Sequence, residues 1–411
     1  MLVAGEPSGD LLAAELVAAL RERLPDAAFI GAGGPRMSAA GVELVHDMSG
    51  LAVVGITDVL LKLLQLRRLM RELLAVALQR QPDVIVGVDY GGFNLRFGHA
   101  VKEYVRNNPF SKWKPRIVQF VSPQVWASRP GRAQRLAADY DLLLSIFPFE
   151  KDWYARRVPQ LRVEFVGHPM VGRFAPELLR AAEQDDWPDA SQAGRRPPRI
   201  LLLPGSRKSE LKRHLPPMLE ALRIIQDQYP AAEFRMIAPS EGLLKIVAGA
   251  FVKRLGAGAR LPAAALTPAL IQGLAQQSFP GLVMQLGGLP GALAQADLAL
   301  SKTGTVTMEC AFFGVPAVTF YQGSWLNYQI ARRLITVKSL TMPNLLAGEE
   351  VYPEFIQHQL TAENLARAAL DLLQTGARRR QIKARLARIV ASLGGPGAPR
   401  RAAAAILSLL E

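Results

Sequence analysis

Short apolar runs alternate with segments of helical spacing along most of the chain, and that rhythm predicts an α/β fold built on parallel, doubly wound sheets. Residues 2–4, 29–31, 84–88, 116–121, 142–147 and 163–166 read as six strands, with a helix over 11–24. From residue 200 the pattern restarts. Residues 200–203, 233–238, 283–285, 297–301 and 315–320 read as strands, and 211–228 as a helix. Between the two series, Pro176, Pro188, Pro197 and Pro198 interrupt a stretch without periodicity, which predicts a connection. The expected organisation is therefore a Rossmann-like domain over 1–172, a connection over 173–199, and a second domain over 200–375. Helices over 376–411 are expected to pack back on the first domain or on a partner subunit. The pattern does not place 249–280.

One segment breaks the amphipathic pattern. Within 51–78, Leu60, Leu61, Leu63, Leu64, Leu66, Leu69 and Met70 exceed a single apolar stripe, and Lys62, Arg67, Arg68 and Arg71 are interspersed. Such a helix must bury its excess somewhere: against a lipid surface as an interfacial helix, inside the core, or in a dimer contact.

Candidate chemistry gathers where strands end. The run LLLPGSRKSE stops a strand at Pro204 and opens a helix, so Gly205, Ser206 and Arg207 stand where open α/β sheets bind ligands. Glycine admits a phosphate close to the backbone, N–H groups at a helix start favour an anion, and an arginine grips it bidentately. An ordinary surface turn containing arginine is the plainer alternative. Gly304 and Thr305 open a second helix at a strand end, with Glu309 one turn inside, suited to a diphosphate and a ribose diol. Asp89 leaves the β-branched run 84–88 and is followed by Gly91, Gly92 and Asn94; desolvation there raises a carboxylate's proton affinity and suits it to general-base work. In GEPSGD, Ser8, Gly9 and Asp10 face the same sheet edge, although helix capping alone accounts for Ser8 and Asp10. Trp126 and Arg129 follow another strand. His168 reads as a structural or domain-joining residue first and a rival base second.

Composition narrows the partners. Two domains are the default for 411 residues, and half of the residues are hydrophobic, enough for two buried sheets. A single cysteine, Cys310, excludes an internal disulfide and fits a reducing compartment. The first residues lack the signature of a signal peptide, and no apolar run reaches spanning length. The net charge of +14 points to a polyanionic neighbour, whether nucleic acid, anionic lipid or a phosphorylated substrate. No zinc spacing, aromatic RNA-binding signature or compact basic run supports nucleic acid. Much of the excess arginine lies in helices such as 364–392, where solvated faces account for it.

The ordered set AGEPSGD, GPRM, VGITDVL, DVIVGVD with FN, SPQVWA, PFEK with Tyr154, VGHPM, LLPGSR with Glu210, TGT with Glu309, and PNLLAGEEVYPEFIQ resembles the lipid-A-disaccharide synthase family from residue 3 to about residue 375. The resemblance implies two facing Rossmann-like domains of the GT-B glycosyltransferase type with a cleft between them, and an inverting transfer without a metal or other cofactor. It implies a UDP-2,3-diacylglucosamine donor on the C-terminal domain and a 2,3-diacylglucosamine 1-phosphate acceptor on the N-terminal one. By motif, Asp89 takes the place of the family's essential aspartate, Arg207 that of the PGSR arginine, Glu309 that of the helix glutamate, and Asn344 that of the PNLLAG asparagine. Expected acceptor contacts are Ser8, Gly9, Asp10, Asn94 and Trp126. Gly205, Ser206, Gly304 and Thr305 are expected on the nucleotide, so that no Asp/Glu metal pair is needed, and no Asp-x-Asp triplet is expected in the chain. Leu60, Leu61, Leu63, Leu64, Leu66, Arg67 and Arg68 are expected to meet an anionic membrane, placing the protein at the inner face of the cytoplasmic membrane, with a homodimer as a further partner.

Gly91 and Gly92 depart from the family pattern by leaving the loop without a second carboxylate, and Ser128 stands where tryptophan is common. The first strand reads as clipped. A UDP-sugar epimerase of similar fold and a non-enzymatic nucleic-acid binder are the rival readings.

Overall fold

The structure, a computed structural model, describes residues 1–48, 59–184, 196–254 and 266–411. The chain forms two compact units, one of Met1–Arg173 with Leu393–Glu411 and one of Phe174–Ser392.

The first unit is built on a seven-stranded sheet of order β3-β2-β1-β4-β5-β6-β7. Its strands are β1 (Leu2–Ala4), β2 (Ile30–Gly33), β3 (Glu43–Asp47), β4 (Val84–Val88), β5 (Arg116–Phe120), β6 (Leu142–Ser145) and β7 (Val163–Phe165), every pair of them parallel. Only three residues long, β1 still lies mid-sheet with β2 on one side and β4 on the other. Its approach to β2 is close. A Cβ on Gly31 would stand 2.0 Å from the carbonyl oxygen of Leu2, so only glycine fits there.

Helix α1 (Pro7–Arg21) follows β1, α2 (Pro35–Ala39) follows β2, α3 (Val59–Arg80) precedes β4, and α4 (Gly91–Asn107) follows it. In α3, Leu69, Leu73 and Ala77 fall four apart and are buried with Val3, Ile85 and Phe97, while Leu66 and Met70 pack against the same core. Part of the apparent apolar excess of this helix is therefore core.

The second unit carries a six-stranded sheet of order β10-β9-β8-β11-β12-β13, again parallel throughout. Its strands are β8 (Arg199–Leu203), β9 (Glu233–Ala238), β10 (Leu282–Leu286), β11 (Leu298–Lys302), β12 (Ala317–Tyr321) and β13 (Glu354–Ile356). The helices that matter below are α5 (Lys208–Gln228), α6 (Thr305–Phe312), α7 (Trp325–Leu334), α8 (Met342–Ala347) and α9 (Gly376–Ser392). The final helix, α10 (Ala398–Leu407), belongs to the first unit and packs on α1, where Arg400 meets Glu22 at 3.0 Å.

Strand order reverses once in each sheet, between β1 and β4 and between β8 and β11. At such a switch point the loops leaving adjacent strands run to opposite faces and leave a crevice at the carboxyl edge.

Several expectations need correction. Strands β3 and β13 are absent from the pattern reading because both are edge strands with half-exposed side chains and no apolar run. The connection contains a helix, Pro176–Gln184, and the unplaced region holds helices Glu241–Arg254 and Pro268–Ser278. Residues 376–392 stay with the second unit. The buried Arg379 guanidinium donates to the carbonyls of Leu372 and Leu373 at 2.9 and 2.7 Å, capping the helix before α9 and tying the two together.

Gly31→Ala is expected to destabilise the protein by about 3 kcal/mol, because the new methyl meets backbone and not a side chain that can turn away. Gly273→Ala, in a helix with open space around it, is expected to be neutral or to stabilise by up to about 1 kcal/mol. Urea unfolding of both variants checks this, and a wild-type midpoint for Gly31→Ala would contradict the packing described.

Candidate active site

At the switch point of the first unit, Asp89 and Tyr90 both adopt left-handed backbone conformations, with φ of 50° and 46°. Each costs a non-glycine residue roughly 1–2 kcal/mol, so the surroundings must hold them. They do so from several sides. The Asp89 N–H donates to Phe120 O at 2.8 Å, and its carbonyl accepts from Asn94 Nδ2 at 2.8 Å and Gln119 Nε2 at 2.9 Å. The Tyr90 ring lies over Gly5, where a Cβ would come within 2.3 Å of it, and stacks on Phe93 with ring centroids 5.7 Å apart. A Cβ on Gly9 would stand 3.3 Å from Val88 O and 3.7 Å from Asp89 Cβ. Both glycines of GEPSGD thus make room for this loop.

The Asp89 carboxyl is half-buried and its pKa is raised, first by desolvation and then by the charge of Glu6, against a smaller opposing effect of the Tyr90 backbone. Asp10 has a different task. Its carboxylate accepts from the backbone of Gly34 (2.8 Å), Arg36 (3.0 Å) and Met37 (3.0 Å), so it caps α2 and fixes the GGPRM loop instead of its own helix. Ser8 is exposed in the first turn of α1 and makes no cap bond; Glu6 is the N-cap residue.

Asn94 is buried. It donates to Val3 O at 3.2 Å as well as to the Asp89 carbonyl, so it braces the loop that carries Asp89. Trp126 is buried too. Its Nε1 donates to Glu150 Oε1 at 2.9 Å and its ring meets Phe149 edge-on. His168 accepts from the Met170 N–H through Nδ1 at 3.2 Å, and its own N–H donates to Leu393 O at 2.9 Å. Burial holds its pKa down to about 4, which makes it a neutral joining residue.

The second switch point brings PGSR, after β8, beside TGT, after β11. Gly205 and Gly304 take φ of 135° and 149°, conformations open to glycine. Glu210 forms the floor. Its Oε2 accepts from the Ser206 N–H at 3.0 Å, its Oε1 lies 3.3 Å from Lys302 Nζ, and a Cβ on Gly205 would be 2.7 Å from Oε2. Arg207 stands at the N-cap of α5 with an exposed guanidinium, only loosely tied to Glu210 at 3.9 Å. Thr305 is exposed at the start of α6, Thr307 Oγ1 donates to Gly304 O at 2.7 Å, and Glu309 is half-buried further in.

Asn344 is buried in α8. Its Oδ1 accepts from Val351 and Tyr352 N–H at 2.9 and 2.8 Å, and its Nδ2 donates to Tyr352 O at 2.9 Å, so it shapes the loop after α8.

Three residues escaped the pattern reading. Lys302 ends β11 and sets a second cation beside Arg207; its position one residue before TGT was the available signal. Gln119 braces Asp89 from β5, and nothing in its local sequence marks it. His214 is fully buried in α5, with Nδ1 donating to Pro204 O at 2.6 Å and Nε2 accepting from the Gln322 N–H at 3.1 Å, which fastens the loop after β8 to the loop after β12.

An Asp-x-Asp triplet does occur, Asp139-Tyr140-Asp141, contrary to expectation. It lies before β6, at the opposite sheet edge. Asp139 is bound by His99 at 2.9 Å and Arg106 at 3.2 Å, Asp141 by Lys102 at 2.9 Å and Arg116 at 3.5 Å. Among the described residues, no group of three or more His, Cys, Asp or Glu side chains is placed to hold a metal.

On α3, Leu64, Arg67 and Arg68 are exposed, Arg68 pairing with Glu72 at 2.7 Å, whereas Leu66 is half-buried against the core and contributes less free apolar area than expected. The side chains of Leu60, Leu61 and Leu63, and most of VGITDVL, lie outside the described residues.

The profile of the lipid-A-disaccharide synthetase family matches residues 1–245 and 284–407. The lipid-A-disaccharide synthase of Solibacter usitatus is 36% identical over 414 residues, covering 100% of this chain and 97% of that protein. Among solved structures, the UDP-GlcNAc 2-epimerase of Methanocaldococcus jannaschii aligns with a TM-score of 0.54 at 13% identity, covering 99% of both chains. The glycotransferase of kitacinnamycin aligns with 0.55 at 17% identity, covering 98% and 97%. The structural likenesses establish the GT-B type of fold.

Glu150 is buried and its pKa is pushed up to about 7 by desolvation, against the bonds from Trp126 and the Phe147 backbone. Unfolded, it loses its proton near 4.5; folded, it keeps it to about 7, so its contribution to stability is lost as pH rises through that window. Relative to Glu150→Gln, the wild type is expected to lose about 3 kcal/mol between these limits. Denaturation at several pH values reads this difference, and a pH-independent gap would show that the carboxyl is not held neutral.

Proposed function

The chain belongs to the lipid-A-disaccharide synthase family, and on that premise we propose how its two switch points divide the work of the glycosyl transfer. The reaction moves 2,3-diacylglucosamine from UDP to the 6-hydroxyl of 2,3-diacylglucosamine 1-phosphate, giving the β-1,6-linked disaccharide 1-phosphate and UDP. In this reading Asp89 takes the hydroxyl proton, the acceptor oxygen attacks C1 from the face opposite the nucleotide, and the C1–O bond to the diphosphate breaks with inversion. Arg207, Lys302 and the backbone N–H groups at the start of α6 neutralise the charge that grows on UDP. The observation that carries the reading is the over-determined backbone around Asp89: a half-buried carboxyl at a switch point, held in a left-handed conformation by Phe120, Asn94 and Gln119.

The neighbouring folds include an epimerase, so fold alone does not choose the reaction; family membership does. No described helix is long and apolar enough to cross a membrane. Acylated substrates then call for a surface contact, and the exposed Leu64, Arg67 and Arg68 of α3 are suited to an anionic leaflet at the inner face of the cytoplasmic membrane. Self-association through the same helix is the competing use.

Asp89→Asn retains size but cannot accept the proton, and turnover is expected to fall about a hundredfold or more with UDP affinity unchanged. Because the Asp89 pKa is raised, the acidic limb of wild-type kcat/KM is expected above the ordinary aspartate range, with activity lost as pH falls through it. Near-normal turnover in Asp89→Asn would assign the base elsewhere. Arg207→Ala is expected to weaken UDP binding and slow transfer together, about tenfold or more each; calorimetry showing wild-type UDP affinity would reduce PGSR to a turn.

A further inference from the structure

Four of the exposed large hydrophobic side chains among the described residues lie on one ten-residue helix, α7: Trp325 (72% exposed), Leu326 (62%), Ile330 (51%) and Leu334 (37%). Leu326, Ile330 and Leu334 recur every four residues and so form one stripe on the solvent face, with Trp325 at its head. Scattered exposed apolar residues are ordinary, whereas a continuous stripe marks an interaction surface. Charge identifies the partner. Arg332 and Arg333 are exposed in the last turn, an exposed Lys338 follows, and no Asp or Glu occurs between Glu309 and Glu349. A second copy of the chain meeting this face symmetrically would bring like charges together.

We propose that α7 is an interfacial helix of the second unit that seats on an anionic bilayer surface. Its apolar stripe enters the boundary between headgroups and acyl chains, and Arg332, Arg333 and Lys338 lie on lipid phosphates. The inference extends the membrane part of the reading above to another unit, and it stands on residues separate from α3 and from the candidate active site.

Sedimentation of the full chain with phosphatidylcholine vesicles, with and without phosphatidylglycerol, tests it. Leu326→Ser with Ile330→Ser, and separately Arg332→Glu with Arg333→Glu, are expected to lower partitioning onto the anionic vesicles by about tenfold or more, with thermal unfolding and elution volume unchanged. Added salt is expected to weaken wild-type binding and to spare less of the difference between wild type and the arginine variant. Wild-type partitioning by both variants overturns the proposal, as does a shift in elution volume without a change in partitioning, which would assign α7 to a second copy.

Should either variant fail to fold, phospholipids brominated on their acyl chains give an independent readout. Fluorescence quenching of the wild type that is lost in Trp325→Phe supports the contact, and equal quenching in both contradicts it. Leu64→Ser with Arg67→Glu, run in parallel, separates the two helices: loss of binding there together with normal binding by the α7 variants leaves the α3 reading standing and removes this one.

Discussion

Parallel strand direction is the constraint from which the rest of this protein follows. Because all seven strands of one sheet and all six of the other run the same way, every loop that leaves a strand opens on one edge, and every loop that enters opens on the other. The entering edges are closed by ion pairs. Asp297 binds Arg196 at 2.7 and 2.8 Å and caps the Arg199 N–H at the start of β8, while Asp139 and Asp141 hold four basic side chains before β6. The leaving edges keep their chemistry open. Where strand order reverses, GEPSGD and Asp89 share one crevice, and PGSR and TGT share the other.

Holding those loops open requires support from below. A left-handed Asp89–Tyr90 pair has no intrinsic reason to persist, and buried amides from α4 and β5 pin its carbonyl while glycines in the loop after β1 accept its side chains. In the second unit a buried carboxylate, Glu210, orients the PGSR backbone and anchors Lys302, and neutral His214 ties that loop to its neighbour. In both units, then, the groups left free for chemistry are a minority, and most polar residues of the motifs are spent on posture. That division is physically economical, since a preorganised loop needs no rearrangement when charge develops on a substrate.

The sequence made much of this legible, and its failures have causes. Residues 84–88 are legible to the residue because a central strand covered on both faces is written as an apolar run. Edge strands β3 and β13 carry no such run. The Asp89 position was legible because a carboxylate ending an apolar strand is chemically unusual, whereas the partners of Asp10, Asn94, Trp126 and Asn344 lie 24, 91, 24 and 7 or 8 positions away and are chosen by tertiary packing. Those hydrogen bonds are set by the tertiary packing and not by local spacing. Gln119 and Lys302 show the converse, since each acquires its place only when strands align side by side.

In the proposed division of work, the second unit's switch point holds the donor diphosphate while the first unit's supplies the base. A crystal structure of the full chain with UDP tests it most directly. Diphosphate oxygens are expected within hydrogen-bonding distance of the Arg207 guanidinium and of the backbone N–H groups at Ser206 and Thr305, with the Asp89 loop free of nucleotide. A diphosphate seated on GEPSGD and the Asp89 loop, with PGSR and TGT empty, would contradict it.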